Sequence, residues 1–570
     1  MMLNNKKESI KSRKFIGKGK YSTIITCRNN QAFRMTKSSN LTLEKLLVQN
    51  ASYSQGGAIL ATQDCNLIIN DCYFRYNSAN NGAVLFGSGS NIHSNITNSI
   101  FASNKAVRFG AALQPGGYNS VYNIMNCTFT NNVLSDTNYA HSTGGAAIYA
   151  SSFSTVNVDN CTFNKNKAIW GNAILNGNHA TLKVNNSIFT NNVAKKNSIG
   201  WNRTKGGAIA VGSGDSVIIT NCSFTKNEAD IGGAISINSG ETVLIDSCSF
   251  IENVGYDQAG AINNFGVLIV KNSTFLRNDG AKRAGAILNI GSTEISVEDS
   301  IFKDNRVRTY RSDDSNPPIH QGGAITISGT CYSFSITNCL FDHNVAYCGG
   351  AISSNYDVQR IIITNTTFKN NTACYGAALY ILGETTFKST NNKFELNRAL
   401  RKAGAIYING SAQGNFKYTS FDRNSVTTTD DGDGGAIYIA CYARLAFNYC
   451  SFTNNYANLK GGAICAMSVV TINIAGTNIT NNNATKGSGI YLDNSKNYNS
   501  HKTKINIETS TFIGNRGKYV FYSVKKYDVA NNNIMISTSW WGKNVMTPKS
   551  IYNFYQKNQF LLALSLNDEI

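Results

Sequence analysis

The sequence predicts an all-β protein, a right-handed single-stranded parallel β-helix of about 17 coils closed by a short C-terminal cap. Three observations predict it. A Phe-x-x-Asn unit followed by a Gly-Gly-Ala-Ile corner recurs along the chain, as in "FTKNEADIGGAI" from Phe224 and "FTNNYANLKGGAI" from Phe452. Apolar pairs two residues apart precede most units, while those at Phe394 and Phe421 keep only one of the pair. No helical periodicity of useful length lies between them, which excludes βαβ units.

Fifteen units open at Phe74, Phe101, Phe129, Phe163, Phe189, Phe224, Phe250, Phe275, Phe302, Phe341, Phe368, Phe394, Phe421, Phe452 and Phe512, and Ile479 opens a variant. Their intervals have a fixed minimum with occasional longer exceptions, the sequence signature of stacked coils. Seven and five positions before the Phe stand pairs such as Val217 and Ile219, Val243 and Ile245, or Ile361 and Ile363. A spacing of two places both side chains on one strand face. Three before the Phe usually comes Asn or Asp (Asp71, Asn126, Asn160, Asn221, Asn338, Asn365), residue types that tolerate the left-handed conformation a bend requires. The Gly pair then allows a tight corner, and Ile235 and Ile237 begin the next short strand. A single coil cannot bury its apolar face. Stacking at about 4.8 Å pairs each strand with the next coil and aligns like residues in ladders, in a rod roughly 80 Å long.

Composition agrees. The 570 residues include only 4 Pro and 15% charged side chains, while the 42% hydrophobic content excludes a disordered chain. The net charge of +19 suits acidic partners, but Lys and Arg are spread thinly, so we expect no nucleic-acid partner. Seven of the 14 Cys residues, Cys72, Cys127, Cys161, Cys222, Cys248, Cys339 and Cys450, stand two before the Phe. Other coils place Ser or Thr there. These are expected to be small buried residues in a stack, with side-chain directions poorly suited to disulfides. No Cys-x-x-Cys pair points to zinc. We therefore expect a basic tail over 1–20, the β-helix over 21–534 and a cap over 535–570, with Trp540 and Trp541 as its apolar lid.

The repeat resembles that of the chlamydial polymorphic outer-membrane proteins. Together with Trp540, Trp541 and Gly542 after the last coil, it is similar to the adhesin-like surface proteins of methanogenic archaea. That resemblance implies secretion, display at the cell surface and a role in attachment, with further β-sandwich repeats and an anchor downstream. The first residues are basic but hold no apolar run of signal-peptide length, and no stretch is long and apolar enough for a spanning helix. The simplest expectation is a gene fragment or a mis-set start, in a monomer that binds a host or microbial cell-surface glycan or protein.

Parallel β-helices also carry polysaccharide lyases and hydrolases, and fold alone does not choose. Paired carboxylates at the separation glycoside hydrolysis needs are not evident. Six His residues are scattered. The expectation is no enzyme and no cofactor, with a carbohydrate-active lyase or hydrolase, or a structural cell-envelope spacer, as alternatives. The one weak calcium candidate is Asp430, Asp431 and Asp433 in a loop. Four insertions, 134–143, 195–205, 306–320 and 425–433, all fall between a Phe-x-x-Asn unit and the next Gly-rich corner, so they emerge along one edge. They carry Tyr139, His141, Trp201, Arg203, Tyr310, Arg311 and His320. Aromatic and Arg side chains on loops suit recognition of glycan or protein.

Overall fold

Stacking of like coils satisfies the backbone and buries the repeated apolar positions, and the chain folds accordingly. The computed structural model describes residues 10–135, 143–177, 179–193, 203–212, 216–291, 293–308, 321–355, 358–440, 442–493, 495, 503–524, 534–537, 539 and 551–552. Among these there is no helix; every regular element is a short strand, and the strand pairings are parallel. Contacts divide the chain into two units, Met1–Ala281 with Ala286–Leu288, and Lys282–Gly285 with Asn289–Ile570. Each is a parallel β-solenoid, and together they hold about 17 turns.

One coil of the first unit shows the plan. Ile235–Ile237 follows the Gly corner, and Thr242–Asp246 carries the apolar pair. After a bend come Ser249–Ile251 with the Phe and Val254–Gln258 on a third face. The pairs register from coil to coil, Val217 on Val243 and then Leu268, Ile219 on Ile245 and then Val270. All six are at most 1% exposed. The bend residues adopt positive φ as expected, with Asn221 at 52° and Asp71 at 49°. At the corner, Gly232 has φ 65°, a conformation that favours glycine, and a Cβ on Gly233 would lie 2.2 Å from the Gly260 carbonyl oxygen, so this coil's corner is built for glycine.

The Phe residues form the expected ladders. In the first unit the rings from Phe74 to Phe275 stack at 4.6 to 5.3 Å. In the second, Phe302 stacks on Phe341 at 4.8 Å, and the series continues to Phe452. Ile479 fills the next place, between Phe452 and Phe512.

Beside each Phe ladder runs an asparagine ladder. Asn104 donates its Nδ2 to Asn132 Oδ1 at 3.0 Å and to the Phe74 carbonyl at 3.1 Å, and its own Oδ1 accepts from Asn77. A buried amide with its donors and acceptor satisfied adds order instead of destabilising the core. The cysteines are likewise structural. All thirteen within the described residues are free; Cys222 Sγ donates to the Thr220 carbonyl at 3.1 Å and accepts from the Ser187 N–H at 3.4 Å. Burial pushes Cys72 up to about 11 and Cys339 up to about 12, so these thiols stay protonated at neutral pH.

The boundaries differ from the sequence reading. Ile10–Ile16, inside the expected basic tail, pairs in parallel with Phe33–Glu44 from Ser12 on Asn40 to Ile16 on Glu44. Its alternating Lys, Arg and Ser side chains hide strand pairing behind a tail-like charge. At the other end Ile534–Ser537 pairs with Lys504–Glu508, and Ile551–Tyr552 with Phe521–Ser523. Stacking thus continues beyond 534. Trp540 and Trp541 lie outside the described residues.

Candidate functional site

The position just before the Gly corner forms its own ladder in each unit. In the first it runs Phe109, Gly144, Trp170, Lys205, Ile231. The insertions 134–143 and 195–205 end on this ladder, at Gly144 and Lys205. In the second it runs Gln321, Cys348, Tyr375, Lys402, Asp433, Lys460, Lys486. The insertions 306–320 and 425–433 end there, at Gln321 and Asp433. Within each unit, then, the insertions end at one corner of the coil.

Of the loop residues singled out from sequence, Tyr139, His141, Trp201, Tyr310, Arg311 and His320 lie outside the described residues. Arg203 is described. Its guanidinium is paired with Asp257, so it is held against the first unit's third face.

The three loop aspartates do not converge on a common point. Asp430 accepts from Thr429 Oγ1 at 3.1 Å, and Asp431 pairs with Lys402 at 3.0 Å. Asp433 is only 4% exposed; its Oδ2 lies 3.9 Å from Lys460 Nζ, and its Oδ1 has no hydrogen-bond partner. Ammonium groups thus take the places a cation would occupy. Among the described residues, no three His, Cys, Asp or Glu side chains are grouped to hold a metal ion.

What the loop ladder does carry is a stripe of lysines on aromatic rings. Five positions after each pre-Gly residue, an outward side chain of the next strand forms a second ladder: Tyr380, Tyr407, Tyr438, Cys465, Tyr491 and Tyr522 in the second unit. Tyr380 and Tyr407 stack at 4.9 Å, Tyr407 and Tyr438 at 5.3 Å, Tyr491 and Tyr522 at 5.2 Å. Lys402 lies 4.8 Å from the Tyr438 ring centre, Lys460 5.3 Å from Tyr491 and Lys486 5.5 Å from Tyr522. A cation over a π-face is attracted by the ring quadrupole. The first unit repeats the contact once, with Lys205 4.5 Å from the Trp170 ring.

Burial dominates the electrostatics of this stripe. It raises the Tyr407, Tyr438 and Tyr491 hydroxyls above their ordinary values and lowers Lys205. Burial also raises the Asp433 carboxyl, against the pull of Lys460 and Lys402. For Lys402, burial pulls downward, but Asp431 and Asp433 outweigh it and the net shift is upward. The stripe therefore sets lysine ammonium groups, two of them beside Asp431 and Asp433, against aromatic rings, side-chain types suited to carboxylates and apolar faces of sugars or acidic peptides. Sequence reasoning missed it, although its signal is present as Lys or Asp before the Gly corner and Tyr five residues later.

Residues 449–467 match the Chlamydia polymorphic membrane protein repeat, and the chain therefore contains a repeat of that type on a β-solenoid. A stretch of 204 residues, 30% of this chain, is 27% identical to "Metabotropic glutamate receptor-like protein R" of Dictyostelium discoideum. The chain spans only 12% of that protein's length. Among solved structures, the PL6 family alginate lyase AlyGC aligns over 94% of this chain and 98% of its own, with 9% identity and a TM-score of 0.29. An arginine-to-alanine variant of the same lyase aligns over 93% and 100%, with 8% identity and a TM-score of 0.21. Among the described residues no helix is long and apolar enough to cross a membrane.

Proposed function

We propose that this chain is a non-enzymatic, adhesin-like β-helix of a cell surface that binds glycan or protein ligands along its loop edge. The observation that carries the proposal is that the insertions in each unit end on the ladder that holds the cation–aromatic contacts, Lys205 on Trp170 in one and Lys402 on Tyr438 in the other. The insertions then end beside a fixed row of lysine charge and buried or partly buried aromatic rings. Such an arrangement can recognise a ligand without moving, because the solenoid sets the spacing. The match to a polymorphic-membrane-protein repeat supports the surface setting.

The test is attachment of the full chain to cells and to glycan arrays. Trp201→Ala with Arg311→Ala, and separately Lys402→Gln with Lys460→Gln, should weaken saturable attachment while leaving the far-UV spectrum unchanged. Attachment that survives shortening of all four insertions would place binding elsewhere. Release of products from an anionic polysaccharide would replace this reading with a lyase or hydrolase.

A further inference from the structure

A second surface of the second unit, on a different turn of the coil, has the form of a binding groove. Its volume is about 830 Å³, and it crosses successive coils. One wall is an outward row in strict lateral register, Thr386, Gln413, Arg444, Thr471 and Lys504. The other wall is made by the turn residues two positions earlier in four of these coils, Glu384, Ser411, Tyr442 and Val469. Between the walls, Thr385 is 4% exposed and its Oγ1 has no hydrogen-bond partner. Among the described residues Glu384, Arg444 and Lys504 make no ion pair.

We propose that this groove binds one extended strand of an acidic, uronic-acid-type polysaccharide, running across the coils. Three physical points select that occupant. The walls repeat at about 4.8 Å, the coil spacing, close to the advance of one pyranose in an extended chain; an extended peptide advances about 3.3 Å per residue, is out of step after one coil, and when its third residue returns to step after two coils that side chain points to the opposite face. The strands along this face are already paired on both sides, so they have no free backbone edge for a peptide to join. The groove's side chains are mainly hydroxyls and amides with one aromatic ring, the groups that meet sugar hydroxyls and C–H faces. Two cations against one carboxylate are too few for a phosphate backbone.

The charge spacing completes the match. Arg444 and Lys504 stand two coils apart, about 10 Å, so each would meet the carboxylate of every second sugar in a two-fold extended chain. The Arg444 guanidinium can accept such a carboxylate in a bidentate pair. Tyr442, 45% exposed, stands two residues before Arg444 in the same coil, so its ring lies beside the sugar whose carboxylate Arg444 would meet.

The experiment measures fluorescence anisotropy of labelled hexagalacturonate, and of labelled cellohexaose as the neutral control, titrated with the full chain. Saturable, salt-weakened binding of the hexagalacturonate and much weaker binding of the neutral chain are expected. Arg444→Ala with Lys504→Ala should lower affinity about tenfold or more, and Ser411→Trp should block the groove sterically with both cations intact. These side chains line the surface, so melting should not change. Trp201→Ala with Arg311→Ala should leave this binding unaltered, which separates the groove from the loop edge. Absence of saturable hexagalacturonate binding, equal binding of the neutral chain, or full affinity in both groove variants would overturn the proposal.

Discussion

Asn227 donates both its backbone N–H, at 3.0 Å, and its side-chain N–H, at 3.1 Å, to the same oxygen, Oδ1 of Asn253 one coil away. Asn253 repeats the act towards Asn278, and its Nδ2 also reaches back to the Phe224 carbonyl at 2.9 Å. The amide must therefore present its oxygen one way and its nitrogen the other, and only Asn has that shape at that length. Its repetition beside every Phe follows from hydrogen-bond accounting in a dry interior.

Asn253→Ala removes the acceptor of two buried donors and leaves the Phe224 carbonyl without its side-chain donor. We expect a loss of roughly 3–5 kcal/mol. Asn253→Asp should be worse at neutral pH, since a buried carboxylate would replace a donor. Guanidinium unfolding midpoints of the two variants measure this, and a loss below that of a typical surface change would reject the ladder's role.

Phe250 lies between Phe224 and Phe275 at 4.8 and 4.7 Å, fully buried. Phe250→Ala should destabilise by roughly 3–5 kcal/mol, because neighbouring coils are pinned by their own hydrogen bonds and cannot collapse into the void. Phe250→Leu should lose clearly less. Equal midpoints for the two would indicate that the coil relaxes around the missing ring.

Cys222 occupies a position that the preceding coil fills with Ser187. Ser187 donates its hydroxyl to the Asn185 carbonyl at 2.7 Å and accepts from the Cys161 N–H at 3.1 Å, the same pair of bonds the thiol makes. Cys222→Ser should change stability by less than about 1 kcal/mol, whereas Cys222→Val, which cannot bond, should be more damaging. Thermal melting under reducing conditions separates the two.

Asp433 supplies a pH test. Burial raises its carboxyl pKa in the folded state above the unfolded value. The stability associated with it is complete below the unfolded pKa, about 3.9, and is lost as pH rises through the folded value. Asp433→Asn should therefore melt higher than the parent at neutral pH, with the difference shrinking as the solution is acidified. A difference that grows on acidification would mean that the lysines, not burial, control this carboxylate.

The ladders were legible because each places a recurring residue at a fixed offset, Phe, Asn or Gly, with few substitutes, such as Ile479 for Phe and Ala259 at the corner. Less legible was the second left-handed position in every coil, two residues after the Phe. Lys226, Glu252, Arg277 and Leu396 all adopt φ between 52° and 55° there, although such residues seldom do. The buried Asn that follows dictates the backbone, and the exposed residue accepts the strain. The Lys–Tyr stripe escaped notice for a related reason. Its partners are adjacent only after stacking, separated in sequence by a coil or more, and Cys465 interrupts the tyrosines. The groove depends on turn residues whose identities vary from coil to coil, so no motif announces it.

The Asn227-to-Asn253 step has one more consequence. Because Asn253 repeats the bonding of Asn227 at an interval of 26 residues, excising 227–252 would join Lys226 to Asn253 with the same local geometry and set Phe224 directly on Phe275. Losing half as many would put apolar faces outward and bury polar ones. Length in this molecule is thus quantised. Recombination between neighbouring repeats can add or delete whole turns as spare parts, changing how far apart two surface features stand while leaving each one intact.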